Sequence, residues 1–378
     1  MLCTLVGKSP ASLRSLSKLS RAIPVQRRFL WLAESQFRGA AAPLRSMPKL
    51  CFIADQATPH GQALLKLIDE LPELKGLLGN TLEEFQEAEL LKVDVLVLAV
   101  FAGGNAAIIP DLWPKLKQLK WIHSLAAGVD TLVPVLKALD GGEALPLTNA
   151  KGAFSRSLAE YAIAAMLHFN KQIPRLQGNR AGGVWEKFPM GELHGATVGF
   201  IGFGDIAQQT ARLCRAFGMR VVAYRNSKGL EGEADEVFYA SDPKAKEEVF
   251  KQSDYVVCTL PGGDSTYHAC GAPEFAVMKP TAVFISMGRG SCVDEAALLE
   301  VLSAKKIVGA ALDVFEQEPL PAASPLWKCE TLLLSPHNAD LTCTYMQLTW
   351  DIFLERLRDF ESPGFKGFEQ TVDKSKGY

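Results

Sequence analysis

The chain has 378 residues, of which 48% are hydrophobic and 22% charged, and its formal net charge at pH 7 is −2. This length allows two domains of roughly 150 residues each, and the small net charge gives no electrostatic reason to expect nucleic acid as a partner. No apolar run reaches the ~18 residues of a membrane span, and the eight cysteines form no Cys-x-x-Cys pair, so we expect neither a membrane protein nor a protein-bound metal.

The first 47 residues differ in composition from the rest of the chain. They are rich in serine and arginine, and Glu34 is the only acid among them. Four apolar residues, from Leu13 to Ile23, fall on one face of a helix with basic residues opposite. Such a segment is typical of an organelle transit peptide, which predicts an organelle matrix location, mitochondrial rather than plastid. The alternative is a disordered basic leader, and the protein would then be cytoplasmic.

From Leu50 onward the chain alternates short apolar runs with helical patterns, which predicts an α/β protein with parallel sheets. A long apolar helix is predicted from Ser157 to about Asn170, and the last helical pattern covers about 345–360. Most of the later runs are apolar throughout, as expected of strands covered by helices on both faces. The predicted strands are LCFIA, VDVLVLAVF, WIHSL and LPLTN in the first half, then ATVGFIG, RVVAYR, DYVVCTL, AVFISMG, VGAALDVF and TLLLSPH.

A glycine-rich turn connects the strand ATVGFIG to the next helical pattern. Its sequence is Gly202-Phe203-Gly204-Asp205-Ile206-Ala207, and a strand–turn–helix–strand context makes this a dinucleotide-binding motif. Gly202 permits the tight turn, and Gly204 lets the backbone approach a pyrophosphate at the helix N-terminus. Asp205 and Ile206 are therefore predicted to lie beside the cofactor. The alternative is a turn that only packs the helix on the strand.

The strand after this turn ends in Arg225 and Asn226, about 20 residues past the glycines. Enzymes that use NAD place an acid here for the ribose 2′-hydroxyl, whereas an arginine accommodates the 2′-phosphate of NADP. The sequence therefore predicts that NADP is preferred and that NAD is possible. The alternative is an ordinary surface arginine.

Three polar segments follow apolar strands later in the chain: Ser286–Gly290, Asp313–Pro319 and Ser335–Asn338. Because the carboxyl ends of parallel strands face the ligand crevice, we expect these segments to converge there.

At this point the sequence resembles the D-isomer-specific 2-hydroxyacid dehydrogenase family. The resemblance extends from about residue 50 to the last predicted helix, and the SPLW segment is most like the glyoxylate and hydroxypyruvate reductase branch. The motifs that carry it occur in the family's order: IHSLAAGVD, NAKGAFSRSLAEYAIAAML, GFGDIA, SMGRGSCVDEAAL, GAALDVFEQEPLP and SPHNAD.

The resemblance implies hydride transfer from NADPH or NADH to the keto carbon of a small 2-keto acid, giving the D-2-hydroxy acid. Arg289 would bind the substrate, since a planar guanidinium can meet a carboxylate and a carbonyl oxygen together. His337 would be the general acid and base, because imidazole titrates near neutral pH. Glu318 would orient His337.

The resemblance also implies the remaining site residues and the assembly. Backbone N–H groups at Ala127 and Gly128 would bind the substrate carboxylate, while Asp313 and Pro261 would contact the cofactor. The protein would be a homodimer, built around the apolar helix after Ser157.

The predicted architecture is a Rossmann dinucleotide-binding domain inserted into a flavodoxin-like substrate domain. The leader covers 1–47, the first part of the substrate domain 48–150, the Rossmann domain 151–337, and the segment returning to the substrate domain 338–378.

Two other functions are compatible with this fold. Dinucleotide-sensing corepressors share it, but the sequence shows a transit-like leader and no added interaction region. A phosphoglycerate-type dehydrogenase would call for basic residues near the substrate loop, and LAAGVDTL offers none.

Overall fold

A computed structural model describes residues 47–99, 104–229, 232–362, 364–375 and 377. The predicted transit peptide lies outside the described residues, and the organelle location that it implies stays a prediction. From Lys49 onward the described residues form one compact unit, which contains two parallel sheets. Among these residues no helix has the length and apolar character needed to cross a membrane.

The first sheet has five parallel strands in the order β2-β1-β3-β4-β5, which is the flavodoxin-like order. Strands β1, β3 and β4 are buried along their whole length. The strands are β1 Leu50–Ile53, β2 Leu77–Gly79, β3 Val95–Leu98, β4 Trp121–Ser124 and β5 Leu147–Asn149; the helices between them are α1 Pro59–Glu70, α2 Glu87–Leu90, α3 Ile109–Leu112 and α4 Leu132–Ala138.

The second sheet has seven parallel strands in the order β12-β11-β10-β9-β6-β7-β8. Counted from β6, its first six strands follow the Rossmann order 3-2-1-4-5-6, and the direction of winding reverses between β6 and β9. The strands are β6 Thr197–Ile201, β7 Arg220–Arg225, β8 Glu236–Tyr239, β9 Tyr255–Cys258, β10 Val283–Ser286, β11 Gly309–Leu312 and β12 Leu332–Leu334.

Helices α5 and α6 lead from the first sheet to the second. Helix α5 begins at Ser155 rather than at the predicted Ser157, because the Ser157 hydroxyl donates to the carbonyl of Phe154 within the first turn (3.2 Å). The remaining helices are α5 Ser155–Asn170, α6 Ile173–Ala181, α7 Asp205–Ala216, α8 Ala245–Gln252, α9 Ala272–Ala276, α10 Glu295–Ser303 and α11 Tyr345–Glu361.

Helix α11 returns to the first sheet after all strands of the second. Its Trp350 and Phe353 are fully buried, with ring centroids 6.1 and 6.2 Å from that of Phe52 on β1. The Phe353 ring also stacks on Trp121 of β4 at 5.9 Å. The apolar face of α11 thus completes the core of the first domain, and the predicted insertion of one α/β domain into another is confirmed.

A histidine lies inside this core. His123 on β4 is fully buried, and its Nδ1 lies 2.7 Å from the Thr148 hydroxyl, which accepts a hydrogen bond from the Trp121 indole at 2.8 Å. With the indole as donor, the hydroxyl can donate to the imidazole only if that ring is neutral. Burial, with a smaller contribution from the charge of Arg356, lowers the pKa of His123 from 6.5 to about 3.

This burial predicts a loss of stability in acid. The unfolded chain protonates His123 as the pH falls through 6.5, whereas the folded protein keeps it neutral to about 3. The free energy of unfolding should therefore fall with pH in this window, by at most about 1.4 kcal/mol per pH unit from this group. Urea unfolding of the parent and of His123→Leu at about pH 7 and about pH 5 measures this component. The same substitution at His194, which is exposed, serves as control. Identical pH dependence in parent and His123→Leu would contradict the assignment.

Candidate active site

The glycine-rich turn lies at the carboxyl end of β6, where the sheet changes its direction of winding. Gly202 has φ +86°, a left-handed conformation that favours glycine, and its N–H donates to the Tyr224 carbonyl at 3.1 Å. Gly204 is the exposed N-cap of α7, and apart from its own chain neighbours nothing lies within 4 Å of the position a Cβ would take. The turn therefore leaves open space at a helix N-terminus, which fits the pyrophosphate of a dinucleotide.

The two residues after Gly204 form the first turn of α7. The Asp205 carboxylate accepts a hydrogen bond from the Ser155 hydroxyl at the start of α5, and Ile206 is half-buried. The Asp205 side chain thus ties α7 to α5, and its backbone N–H remains as the group directed to an anion at the helix start.

Arg225 is the last residue of β7, and its guanidinium donates to the Gly229 carbonyl. Asn226 beside it is exposed. Both residues lie where the adenosine ribose of a dinucleotide is placed in this fold. Pro261 follows β9, and its carbonyl accepts a hydrogen bond from the Thr266 hydroxyl at 2.7 Å, which fixes the loop opposite the glycine-rich turn.

His337 and Glu318 form a hydrogen-bonded pair. His337 Nδ1 lies 2.6 Å from Glu318 Oε2, and the other carboxylate oxygen, Oε1, accepts the Phe315 N–H at 2.9 Å. The two side chains are 39% and 35% exposed, so a ligand in solution can reach them. Because Nδ1 is engaged by the carboxylate, Nε2 is the ring nitrogen that can exchange a proton with a ligand.

Asp313, at the end of β11, supports the turn that carries His337. Its buried carboxylate accepts hydrogen bonds from the Ser335 hydroxyl (2.6 Å) and from the backbone N–H groups of Asn338 (3.1 Å) and Ala339 (3.2 Å). His337 has φ +51°, which costs a non-glycine residue roughly 1–2 kcal/mol. The hydrogen bonds to Asp313 on either side of His337 hold the chain in that conformation.

The network around Asp313 continues to α5. The Tyr161 hydroxyl lies 2.7 Å from the Ser335 hydroxyl, and burial raises the pKa of Tyr161 to about 12, against a smaller lowering by Ser335. Sequence reasoning missed Tyr161, since a tyrosine inside an apolar helical pattern gives no sign of a polar partner far along the chain.

Arg289 follows β10 and reaches the loop after β4 of the other sheet. Its Nε donates to Asp130 Oδ2 at 2.9 Å, and its Nη1 to the Gly288 carbonyl at 2.9 Å. A Cβ at Gly128 would lie 1.6 Å from Nη2, so the guanidinium packs directly on that glycine. The carbonyl of Ala127 accepts a hydrogen bond from the Asn149 side chain at 2.6 Å, which holds the loop in place.

The carboxyl group of Asp340 interacts electrostatically with both Arg289 and His337. Burial raises the pKa of its carboxyl group, while the charges of His337 and Arg289 both act to lower it. Both predicted catalytic groups thus act on the pKa of this carboxyl group, although burial has the larger effect. Sequence reasoning missed both Asp340 and Asp130, although each stands inside a quoted motif. No described residues form a group of three or more His, Cys, Asp or Glu side chains placed to hold a metal ion.

Comparison with known proteins identifies the family. Residues 163–339 match the family described as D-isomer specific 2-hydroxyacid dehydrogenase, NAD binding domain. A hydroxypyruvate reductase from Thermotoga maritima is 34% identical to the chain over 241 residues, which span 63% of the chain and 76% of that protein. The chain belongs to the D-isomer specific 2-hydroxyacid dehydrogenase family. It is thus an NAD(P)-dependent oxidoreductase, and the resemblance seen in the sequence is confirmed.

Two further similarities bear on this dehydrogenase. A D-3-phosphoglycerate dehydrogenase from Methanocaldococcus jannaschii is 31% identical over 302 residues, covering 79% of the chain but only 56% of that protein. A solved NADPH-dependent glyoxylate/hydroxypyruvate reductase from Sinorhizobium meliloti, in complex with NADP and sulfate, superposes with a TM-score of 0.73 and is 26% identical, covering 88% of this chain and 100% of that one. Its fold confirms the two-domain α/β class predicted from the sequence.

Proposed function

We propose that the protein reduces a small 2-keto acid of the glyoxylate or hydroxypyruvate type to the D-2-hydroxy acid, with NADPH as the preferred reductant. One observation carries this proposal: His337 and Glu318 form a half-exposed hydrogen-bonded pair, and the Arg289 guanidinium packs against the substrate loop at Gly128. A guanidinium that binds the keto acid and a proton donor for its carbonyl oxygen are what reduction of a 2-keto acid requires.

Each residue has a role that its contacts support. Arg289 binds the substrate carboxylate and carbonyl oxygen, with the N–H groups at Ala127 and Gly128 as further donors. A reduced nicotinamide dinucleotide, when bound, supplies the hydride to C2. As the carbonyl π electrons move to oxygen, His337 donates the Nε2 proton to that oxygen, and solvent later returns the proton to the ring. Glu318 holds Nδ1 and offsets the charge of the imidazolium.

The surroundings of Arg289 favour a substrate with one carboxylate and a small side chain. The groups in contact with the guanidinium are the Asp130 carboxylate, the Gly288 carbonyl and the Gly128 backbone. These contacts bring a negative charge to the guanidinium and, among the residues that the structure describes, no second cation for a phosphate. The phosphoglycerate dehydrogenase relative nevertheless makes 3-phosphohydroxypyruvate a necessary comparison substrate.

Turnover with a panel of keto acids tests the reaction. We expect the parent to oxidise NADPH with glyoxylate or hydroxypyruvate, and to use 3-phosphohydroxypyruvate poorly. His337→Asn should lower kcat about 10²–10⁴-fold through loss of the proton donor. Glu318→Gln removes the charge and leaves one side-chain oxygen, which cannot accept from both the Phe315 N–H and His337 Nδ1, so it should lower kcat roughly 10–100-fold.

Absence of turnover with every keto acid, together with tight NADPH binding, would instead support a dinucleotide-sensing protein. Better use of 3-phosphohydroxypyruvate than of either small acid would reassign the substrate.

The preference for NADPH rests on Arg225 and Asn226 at the end of β7. A guanidinium can meet two oxygens of a 2′-phosphate, and the Sinorhizobium reductase has NADP bound. Arg225→Ala should lower the ratio of kcat/KM for NADPH to that for NADH by roughly ten-fold or more, since a charge-assisted bond is lost. Arg220→Ala at the other end of the same strand is the matched control and should leave the ratio unchanged. Equal use of both cofactors by the parent would contradict the proposal.

A homodimer is proposed through the segment that follows α5. Helix α5 packs against α7 of the same chain, whereas α6 has no buried residue. Trp185 and Val184 beyond it are 94% and 55% exposed. An Arg175–Glu186 ion pair (2.8 Å) holds this segment in one conformation, so its apolar side chains are displayed together and favour contact with a second copy.

Light scattering tests the assembly. We expect the mass of two chains for the parent, and a shift towards one chain for Trp185→Glu, which places a charge in the proposed contact. Leu91→Glu, at a 41% exposed leucine of the first domain, should remain dimeric. A parent protein with the mass of one chain would refute the dimer.

A further inference from the structure

The Arg289–Asp130 ion pair joins the two domains at the substrate loop. Arg289 is carried by the end of β10 in the second sheet, and Asp130 by the loop between β4 and α4 in the first. Nε and Oδ2 are 2.9 Å apart, and the side chains are 33% and 38% exposed. An ion pair this exposed adds little to folding stability. We therefore consider its role in ligand binding.

Two of the guanidinium donors of Arg289 have hydrogen-bond acceptors in the protein. A guanidinium has five N–H groups. Asp130 takes the one on Nε and the Gly288 carbonyl takes one on Nη1. The remaining Nη1 and Nη2 donors form the outer edge of the group, the edge that can bind two oxygens at once. Asp130 thus engages the inner edge, and because the side chain is 33% exposed, donors of the outer edge can meet a ligand beside the loop.

Two glycines let two backbone segments of the chain approach the ion pair closely. Nη2 packs against Gly128, where a Cβ would lie 1.6 Å away. On the other side, a Cβ at Gly262 would lie 3.1 Å from Asp130 Oδ1 and 3.3 Å from Arg289 Cγ. The outer edge of the guanidinium therefore lies against the loop whose N–H groups at Ala127 and Gly128 are the other proposed carboxylate donors.

From these contacts we infer that Asp130 is a positioning residue for substrate binding. Its carboxylate fixes the rotation of the Arg289 guanidinium, so that the outer edge and the loop N–H groups meet the same keto acid. A long arginine side chain otherwise loses rotamer freedom when it binds, and prior fixing lowers that entropic cost. The inference rests on the proposed role of Arg289 in substrate binding.

A competing arrangement gives the opposite result. If Asp130 were a latch that occupies Arg289 until the substrate displaces it, removing the carboxylate would strengthen substrate binding. The sign of the change in KM therefore distinguishes positioning from competition.

The test uses the full-length protein with Asp130→Ala and Asp130→Asn. We measure kcat and KM for glyoxylate and hydroxypyruvate, the Kd of oxamate in the presence of NADPH, the Kd of NADPH alone, and the Tm. Positioning predicts that Asp130→Ala raises KM and the oxamate Kd roughly ten-fold or more, with a smaller change in kcat and no change in the NADPH Kd. Asp130→Asn keeps an oxygen that can accept from Nε and should recover part of the loss.

Two controls make the result specific. Asp111→Asn removes the same charge from an exposed site on the same domain and should leave KM and the oxamate Kd at the parent values. In an Arg289→Ala background, Asp130→Ala should have no further effect on oxamate binding, because the residue acts only through the guanidinium.

Outcomes that overturn the inference are separate from those that overturn the proposed function. A KM within about twofold of the parent in both Asp130 variants, or a lower KM, overturns positioning while the reaction stands. Should Asp130→Ala fail to fold, the near-isosteric Asp130→Asn and the longer Asp130→Glu give the same comparison. A parent that neither turns over keto acids nor binds oxamate overturns both proposals.

Discussion

Parallel strands constrain where this protein can place polar chemistry. Each parallel connection crosses over one face of the sheet, so helices cover both faces and the strands between them must be apolar. Strands β3, β4, β9, β10 and β11 are buried along their whole length. Charged groups that serve a ligand are therefore confined to the ends of strands, where the chain leaves the sheet. Arg289, Asp313, Arg225 and the His337 turn all occupy such positions.

Because charged groups are confined to strand ends, buried hydrogen-bond acceptors there determine the conformation of the adjoining loops. Asp313 is 1% exposed, and an unpaired carboxylate at that depth would be strongly destabilising. The carboxylate is stabilised by the Ser335 hydroxyl, which precedes His337, and by the backbone N–H groups of Asn338 and Ala339, which follow it. The same hydrogen bonds that satisfy the carboxylate thus fix the histidine in its left-handed conformation. The interactions that stabilise the buried Asp313 carboxylate are therefore the same ones that place His337, the proposed proton donor.

Sequence patterns recovered the elements that are long or apolar, among them the edge strands β5 and β12, and missed the other two edge strands. β2 Leu77–Gly79 and β8 Glu236–Tyr239 each lie at a sheet edge, where one neighbour is enough and partial exposure is tolerated. Neither carries the continuous apolar run of a central strand, so no pattern marked them. The glycine-rich turn was predictable because its conformation requires Gly202, and Gly is visible in a sequence.

The site divides in the same way. Arg289, Glu318 and His337 could be named because each stands in a motif with a recognisable neighbourhood. Asp130 and Tyr161 could not, because their importance comes from partners 159 and 174 residues away. A carboxylate after a loop glycine, or a tyrosine in an apolar helix, has many possible partners. Only the tertiary fold determines which one it meets. Long-range polar pairing is set by topology, which local patterns do not contain.

As a result of that topology, each domain contributes one part of the proposed active site. The second sheet carries the dinucleotide turn, the guanidinium, the histidine and its glutamate. The first contributes the loop N–H groups at Ala127 and Gly128 and the acid Asp130, which reaches the guanidinium at 2.9 Å. In the proposed mechanism, a substrate bound only to the second sheet would lack the loop donors and an arginine held by Asp130, and one bound only to the first would meet no proton donor. The proposed reaction requires both parts, and the half-exposed Arg289–Asp130 ion pair is the contact that joins them at the substrate loop.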